Sequence, residues 1–188
     1  MKNYAAVFGL GPYQIYGIKR LSKKYNLIGF DRNNKSPGIK YLKKFYNLDK
    51  IDKYKILQVC KKKKIKIFFC FSSDFSIKLI NFLNKKLNLK NPNDKAEKIS
   101  TNKFLFKKAL KEKKILSPFF QQVELNKLNK LKLNKKSKYI CKPLSSSGSR
   151  GVFIFKNRKQ LIFNLKKYFN EYCNQKKVLI EELLHGQM

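Results

Sequence analysis

The first 90 or so residues alternate apolar runs with helical patterns, and this alternation constrains the fold more than any other feature. Residues 4–8, 26–30 and 65–71 form short apolar runs, and the last is nearly continuous, as in strands covered on both faces. A helical pattern follows each run, at about residues 12–21, at 52–63 and from Asp74 onward. Strand and helix repeating in this way predict a Rossmann-like, doubly wound parallel sheet.

The pattern changes at residues 91–94, where the sequence Asn-Pro-Asn-Asp indicates a boundary. Two helices are expected at 94–100 and 102–113, and a further helix at 160–172. Strands are expected at 119–125, 139–142, 151–155 and 178–182, with a Ser/Gly loop joining an antiparallel pair. The Leu/Asn/Lys run at 125–136 is interpreted as a solvated helix or loop. These elements predict two domains, residues 1–91 (α/β) and 92–188 (α+β).

The formal net charge of +34 first suggests a polyanion as partner. However, 41 of the 45 basic residues are Lys, and they are spread along the whole chain. Proteins that recognise nucleic acids tend to use Arg, whose planar guanidinium pairs with phosphate and guanine. Lys, Asn, Ile, Phe and Tyr share A/T-rich codons, so the charge is interpreted as compositional bias. We expect no specific nucleic-acid partner, and a basic nucleic-acid-binding module remains the alternative.

The four cysteines show no CxxC spacing, which argues against a zinc site. Cys70 and Cys141 lie in apolar runs and are interpreted as small core residues. The single His185 cannot form a metal cluster alone, so no metal site is predicted within the chain. No run approaches the length of a membrane span and no signal peptide is visible. We therefore expect a cytoplasmic protein without a membrane partner.

The segment from Lys142 to Val152, Lys-Pro-Leu-Ser-Ser-Ser-Gly-Ser-Arg-Gly-Val, carries the clearest functional signal. Glycine lets backbone N–H groups approach anionic oxygens, and serine hydroxyls add further donors. A lysine leading the loop would place a positive charge near phosphates. The spacing is not that of a Walker A loop. An ordinary flexible hairpin loop is the alternative, because Ser and Gly are common in turns.

Four segments, in this order, resemble the ATP-grasp family, with the carbamoyl-phosphate-synthase-like and purine-carboxylase-like branches nearest. The Gly9-Leu10-Gly11 segment resembles the end of the first strand in the pre-ATP-grasp domain. Thr101-Asn102-Lys103, with Ile-Leu-Ser-Pro at 115–118, resembles the family's "DK…GIPxP" segment, although Asn102 stands where Asp is usual. The Ser-rich loop resembles the phosphate-covering loop, and Val-Leu-Ile-Glu-Glu-Leu-Leu-His-Gly at 178–186 resembles the hinge strand that holds adenine.

The resemblance implies an ATP site in the second domain. Lys103 and Lys142 would contact the phosphates. The loop would cover them, through Ser145, Ser146, Ser147, Gly148, Ser149 and Gly151. Glu181 would accept a hydrogen bond from the adenine amino group, while Glu182 and Leu184 would offer backbone groups to the adenine edge. The alternative for Glu181 and Glu182 is pairing with surface lysines.

The turn after the first strand has its own alternatives. Gly9-x-Gly11 with Asp31 about 20 residues later imitates a dinucleotide fingerprint, but Gln14 stands at the third glycine position. NAD binding is therefore disfavoured. A weak substrate site at Gly9, Gly11 and Asp31 is expected instead, because ligands settle at the carboxyl ends of strands in such sheets.

The resemblance stops at the hinge, so the ATP-grasp fold is expected to be incomplete at its C-terminus. The family's metal-binding acidic residues, and hence the Mg²⁺ site, are expected beyond Met188. No catalytic residue is assigned, and whether the chain alone is an enzyme is left open. As a ligase fragment it would activate a small-molecule carboxylate as an acyl-phosphate for attack by an amine or other nucleophile. A decayed, non-catalytic nucleotide-binding fragment is the alternative. A homodimer, or a separate chain supplying the missing half, would be the partner.

Overall fold

The computed structural model describes residues 2–71, 74–90, 93–131, 133–134, 137–146, 148–165 and 176–184. The chain divides into two compact units, Met1–Glu97 and Lys98–Met188. The division falls within helix α4 (Asp94–Thr101). The domain limits 1–91 and 92–188 stay a prediction.

The first unit holds a four-stranded sheet in the order β3-β2-β1-β4, and all three strand pairings are parallel. The parallel sheet predicted from the apolar runs is therefore confirmed. Its elements are β1 (Tyr4–Phe8), α1 (Ile15–Ser22), β2 (Asn26–Asp31), β3 (Lys44–Asn47), α2 (Lys53–Lys62), β4 (Phe68–Cys70) and α3 (Asp74–Lys86). Two 3-10 helices, Pro12–Gln14 and Pro37–Tyr41, complete it. The expected cap at Ser72 and Ser73 lies outside the described residues.

Both faces of this sheet are covered, because successive side chains of a strand point to opposite sides. Ala6 and Phe8 of β1 pack in one core cluster with Ile56 of α2 and Leu79 of α3. Alternate β1 residues, Ala5 and Val7, pack in a second cluster on α1 and the Pro37–Tyr41 helix. The near-continuous apolar character of β1 thus follows from burial on two sides. Cys70, expected in the core, is only partly buried, because it is the last residue of its strand.

The second unit holds an antiparallel sheet in the order β5-β8-β6-β7. Its elements are α5 (Lys103–Glu112), β5 (Phe120–Glu124), β6 (Tyr139–Pro143), β7 (Phe153–Phe155), α6 (Arg158–Asn164) and β8 (Lys177–Glu182). Tyr139, Cys141 and Val178 face a core cluster with Leu161 of α6. The hairpin β6–β7 is the antiparallel pair expected around the Ser/Gly loop.

The expectation of a solvated segment at 125–136 is wrong. Residues Leu125–Lys130 form a 3-10 helix, and Leu125, Leu128, Leu131 and Leu133 all pack against the core of the second unit. The first three leucines are spaced by three residues, close to one 3-10 turn, although the backbone bends at Lys127, where φ is −115°. The many lysines and asparagines between them concealed this apolar stripe. Within the described ranges, no helix is long and apolar enough to cross a membrane.

Candidate functional site: a lysine-rich face beside a Ser/Gly loop

In the first unit, the turn after β1 is fixed by Asp31 at the end of β2. The backbone N–H of Leu10 donates to Asp31 Oδ2 at 2.7 Å, and the hydroxyl of Ser36 donates to the same oxygen at 3.2 Å. The other oxygen, Oδ1, accepts from the N–H of Asn33 at 3.0 Å. The N–H of Gly38 donates to the carbonyl of Leu10 at 2.9 Å. Asp31 thus holds the loops at this sheet edge together.

The sheet order places the carboxyl ends of β1 and β4 next to each other, which is the usual ligand crevice of such sheets. Gly9 and Gly11 lie on the β1 side of this crevice. On the β4 side, burial and the nearby charge of Asp74 raise the pKa of the Cys70 thiol. A thiol held in its protonated form is a poor nucleophile, so Cys70 is not suited to covalent catalysis.

In the second unit, Lys142 and Glu181 meet on the sheet face opposite the core. Glu181 pairs with Ile140 of the neighbouring strand, and Lys142 pairs with Leu179, so their side chains share one face. The ammonium group of Lys142 forms an ion pair with Glu181 Oε2. Lys107 of α5 approaches the other carboxylate oxygen, with Nζ 3.4 Å from Oε1. The Glu181 side chain is 4% exposed, so this carboxylate lies buried between two lysines.

Helix α5 packs on this same face and carries a third lysine, Lys103, which contacts the Ser/Gly loop. The rings of Phe104 and Phe120 lie edge to face with centroids 6.0 Å apart. Lys103 Nζ donates to the carbonyl of Ser146 at 2.6 Å, and the Lys103 N–H donates to the carbonyl of Leu144 at 2.9 Å. The first residue of α5 therefore contacts the loop through its backbone and its side chain.

The loop between β6 and β7 has the backbone that its glycines permit. Gly148 and Gly151 have φ angles of +66° and +72°, in the left-handed region where a Cβ is disfavoured. Ser149 also has a positive φ, +55°. The Ser146 hydroxyl donates to the carbonyl of Arg150 at 3.1 Å and closes the loop. Ser147 lies outside the described residues.

Loop residues also line a shallow groove. Ser145 and Leu144 line it together with Asn102, Lys176 and Lys177. Ser145, Gly148 and Ser149 are exposed, so this part of the loop lies at the surface.

The other two expected adenine-binding residues, Glu182 and Leu184, follow Glu181 in the sequence. The N–H of Glu182 donates to the carbonyl of Phe119 at 2.9 Å, so this donor is committed within the unit. One Glu182 carboxylate oxygen accepts from the Ser137 hydroxyl at 2.6 Å. Leu184 follows β8 and has an exposed side chain. The His185-Gly186 end of the expected hinge lies outside the described residues.

Two residues of this face were missed by the sequence reasoning. Lys107 lies four residues after Lys103, which places both on one side of α5, and this spacing was the available signal. Asn102 was noted only as a departure from the family's Asp. Its side-chain oxygen accepts from the N–H groups of Phe104 and Leu105, at 3.0 and 3.1 Å, and caps α5.

The charges on this face favour an anion. Lys107 and Lys142 share one carboxylate, Glu181, so this pair of lysines carries one more positive charge than its acid, and Lys103 lies nearby at the loop. Positive groups in a partly buried place attract anions more strongly than lysines in bulk water. These lysines and the Ser/Gly loop fit a polyphosphate. Among the described residues, no group of three His, Cys, Asp or Glu side chains could hold a metal ion.

A parallel α/β sheet followed by an antiparallel sheet with a Ser/Gly loop is the arrangement found in the first half of ATP-grasp folds. Residues 100–187 match the family model of the ATP-grasp domain. No curated protein sequence matches the chain significantly.

Solved structures share this fold over nearly the whole chain. N5-carboxyaminoimidazole synthetase from Staphylococcus aureus, solved with ADP, matches with a TM-score of 0.78 at 17% identity, covering 98% of this chain and 49% of that one. An L-amino acid ligase from Bacillus licheniformis matches with a TM-score of 0.73 at 15% identity, covering 97% and 46%. A third match is the biotin carboxylase domain of the 2-oxoglutarate carboxylase of Hydrogenobacter thermophilus, solved with MgADP, ADP and bicarbonate. Its TM-score is 0.71 at 13% sequence identity, and the match covers 98% of this chain and 45% of that one. The chain spans about half the length of these structures.

Proposed function

We propose that the second unit binds ATP, and that the chain is part of an ATP-dependent ligase that activates a carboxylate as an acyl-phosphate for attack by an amine or another nucleophile. The observation that carries this proposal is that Lys103 contacts the Ser/Gly loop, while Lys142, which leads this loop, pairs with Glu181 on the same sheet face, within the region that matches the ATP-grasp domain. ATP would supply the phosphoryl group, and the residues of this chain would bind and orient it.

The proposed roles follow from position. The ammonium groups of Lys103 and Lys142 bind the phosphates, and the loop from Ser145 to Gly151 covers them with N–H and hydroxyl donors. Glu181 accepts a hydrogen bond from the adenine amino group. The Glu182 N–H already donates to Phe119, so Glu182 would offer its carbonyl, and Leu184 its backbone, to the adenine edge. Glu181 lies next to these groups, and its carboxylate also holds Lys142.

Magnesium would assist the ATP of such a ligase, but the described residues do not fit a metal site. No step through a metal is therefore assigned to this chain. We place the Mg²⁺ ligands in a further segment or partner chain, because the solved ligases that it resembles are about twice as long.

The carboxylate substrate would occupy the crevice of the first unit, near Gly9 and Gly11. Asp31 contributes there by fixing the turn, since its carboxylate already accepts three hydrogen bonds. We assign the protein to the cytoplasm, which suits cysteines that form no disulfide, as Cys60, Cys70 and Cys141 do not. Its partner would be a second copy of the chain or a chain carrying the missing part.

Titration calorimetry of the purified chain with ATP, and separately with NAD, tests the proposal. ATP should bind and NAD should not. Lys142→Ala should weaken ATP binding roughly 10- to 150-fold, because a charge-assisted contact contributes about 1.5–3 kcal/mol. Lys107 stays close to Glu181 in this variant, so the buried carboxylate keeps a partner and the fold should persist.

Lys138→Ala is the matched control. This exposed lysine immediately precedes the same strand and should alter the ATP dissociation constant less than twofold. Circular dichroism should show equal folding of all three proteins. A folded wild-type chain that does not bind ATP, or that binds NAD more tightly than ATP, would refute the proposal. Equal affinities for Lys142→Ala and wild type would remove Lys142 from the site.

A further inference from the structure

Glu181 is a buried acid with two lysine partners, and the proposed function uses only one of them. Lys142 and Lys107 approach different oxygens of the Glu181 carboxylate. The side chain of Lys142 is 26% exposed and that of Lys107 is 17% exposed, so both pairs are shielded from solvent compared with ordinary surface pairs. The arrangement contains one more positive charge than Glu181 needs.

The second lysine matters when a nucleotide arrives. If Lys142 turns towards a phosphate, Glu181 loses its ion pair while an anion of higher charge comes close. A buried carboxylate without a partner is strongly unfavourable, and a neighbouring phosphate would add like-charge repulsion. Lys107 removes this penalty, because it remains beside Oε1 of Glu181 when Lys142 leaves Oε2.

We propose that Lys107 is a positioning residue of the ATP site: it keeps Glu181 neutralised, which frees the ammonium group of Lys142 for the phosphates. This inference rests on the proposed ATP binding. Lys107 acts through Glu181 and does not itself contact the nucleotide. Its place on α5 supports this role, because Lys103, one turn earlier, reaches the loop while Lys107 reaches the strand.

The test is a double-mutant cycle on ATP affinity with Lys107→Met and Glu181→Gln. Lys107→Met alone should weaken ATP binding about tenfold or more, since Lys142 then remains committed to Glu181. In the Glu181→Gln background, the same change should alter the dissociation constant less than about twofold, because no charge is left to balance. Adenosine, which carries no phosphate, should bind wild type and Lys107→Met with equal affinity.

Two further variants separate this role from a structural one. Lys107→Arg retains the charge and should keep ATP affinity within about threefold of wild type. Lys108→Met removes the neighbouring lysine, whose ammonium nitrogen lies 3.9 Å from Oε1 of Glu112 in an exposed ion pair. This change should leave ATP affinity unchanged. Urea unfolding of the four cycle proteins without nucleotide should show a smaller coupling between Lys107 and Glu181 than ATP binding does, because Lys142 still pairs with Glu181 when no nucleotide is bound.

Each outcome decides the proposal. Equal losses of ATP affinity in both backgrounds, or equal losses for adenosine and ATP, would overturn it, because Lys107 would then act on the nucleotide or on the fold. No loss in Lys107→Met would overturn it as well. A folded wild-type chain without ATP affinity would refute the proposed function itself, and this inference would fall with it whatever the unfolding cycle gives.

Discussion

Replacing Asp31 with alanine should destabilise the first unit, although the sequence pattern predicts that Asp31 binds a substrate. The side chain accepts from the N–H groups of Leu10 and Asn33 and from the hydroxyl of Ser36. The Leu10 residue is fully buried, so its N–H would lose its partner without access to water, a cost of about 1–3 kcal/mol. The buried Ser36 hydroxyl adds about 1 kcal/mol, while the exposed Asn33 can bond to water. The expected loss is about 2–4 kcal/mol.

Native-state hydrogen exchange is the suitable assay, because it reports the opening free energy of the first unit by itself. Amides of β1 should exchange faster in Asp31→Ala by a factor that corresponds to this loss. Asp31→Asn keeps one acceptor oxygen and should lose about half as much. Asp49→Ala is the control, since Asp49 accepts one exposed hydrogen bond from the Ile51 N–H at 3.2 Å, and it should cost less than about 1 kcal/mol. A loss in Asp31→Ala no larger than that of the control would refute the reasoning.

Two further predictions concern burial. Burial raises the pKa of the Cys60 thiol to about 12 from 9.0, so the folded state retains a proton that the unfolded chain loses above pH 9. Stability should therefore fall between pH 9 and 12 more steeply in wild type than in Cys60→Ala, by up to about 1.4 kcal/mol per pH unit in urea unfolding; equal slopes would contradict this. Leu131→Ala should cost about 2–4 kcal/mol, because Leu131 is 2% exposed in the core of the second unit. Leu116→Ala, at a site 99% exposed, should cost less than about 0.5 kcal/mol in the same assay, and equal losses would argue against the packing of Leu131 in this core.

Local patterns predicted most of the regular structure. The predicted strand at 4–8 has the bounds of β1, and Asn102 caps the helix expected from 102 onward. These predictions succeeded because buried strands need apolar runs and helix ends need polar caps, and both are local properties. The leucines at 125–131 were expected to be solvated because lysines and asparagines separate them, and only the fold shows that they pack against a core.

Residue roles depended on the tertiary structure more than element positions did. The spacing of Gly9, Gly11 and Asp31 does not tell whether Asp31 binds a substrate or stabilises the turn after β1. Only the folded chain brings the Asp31 carboxylate to the Leu10 N–H. Glu181 could be proposed from its neighbours in sequence, but its second partner, Lys107, lies 74 positions earlier. With 41 lysines in the sequence, no local feature distinguishes Lys107 from the others, and only its position in the fold does.

The sequence by itself determined the parallel α/β order of the first unit, the strand–loop–strand hairpin with its Ser/Gly loop, and the resemblance to ATP-grasp proteins. Hydrophobic periodicity, capping and glycine content act over a few residues, so they are written directly in the chain. Only the tertiary structure decided which lysines surround Glu181 and which carboxylate supports the turn after β1. Burial and ion pairing are properties of residues brought together from distant positions, and their energies arise only where the fold excludes water.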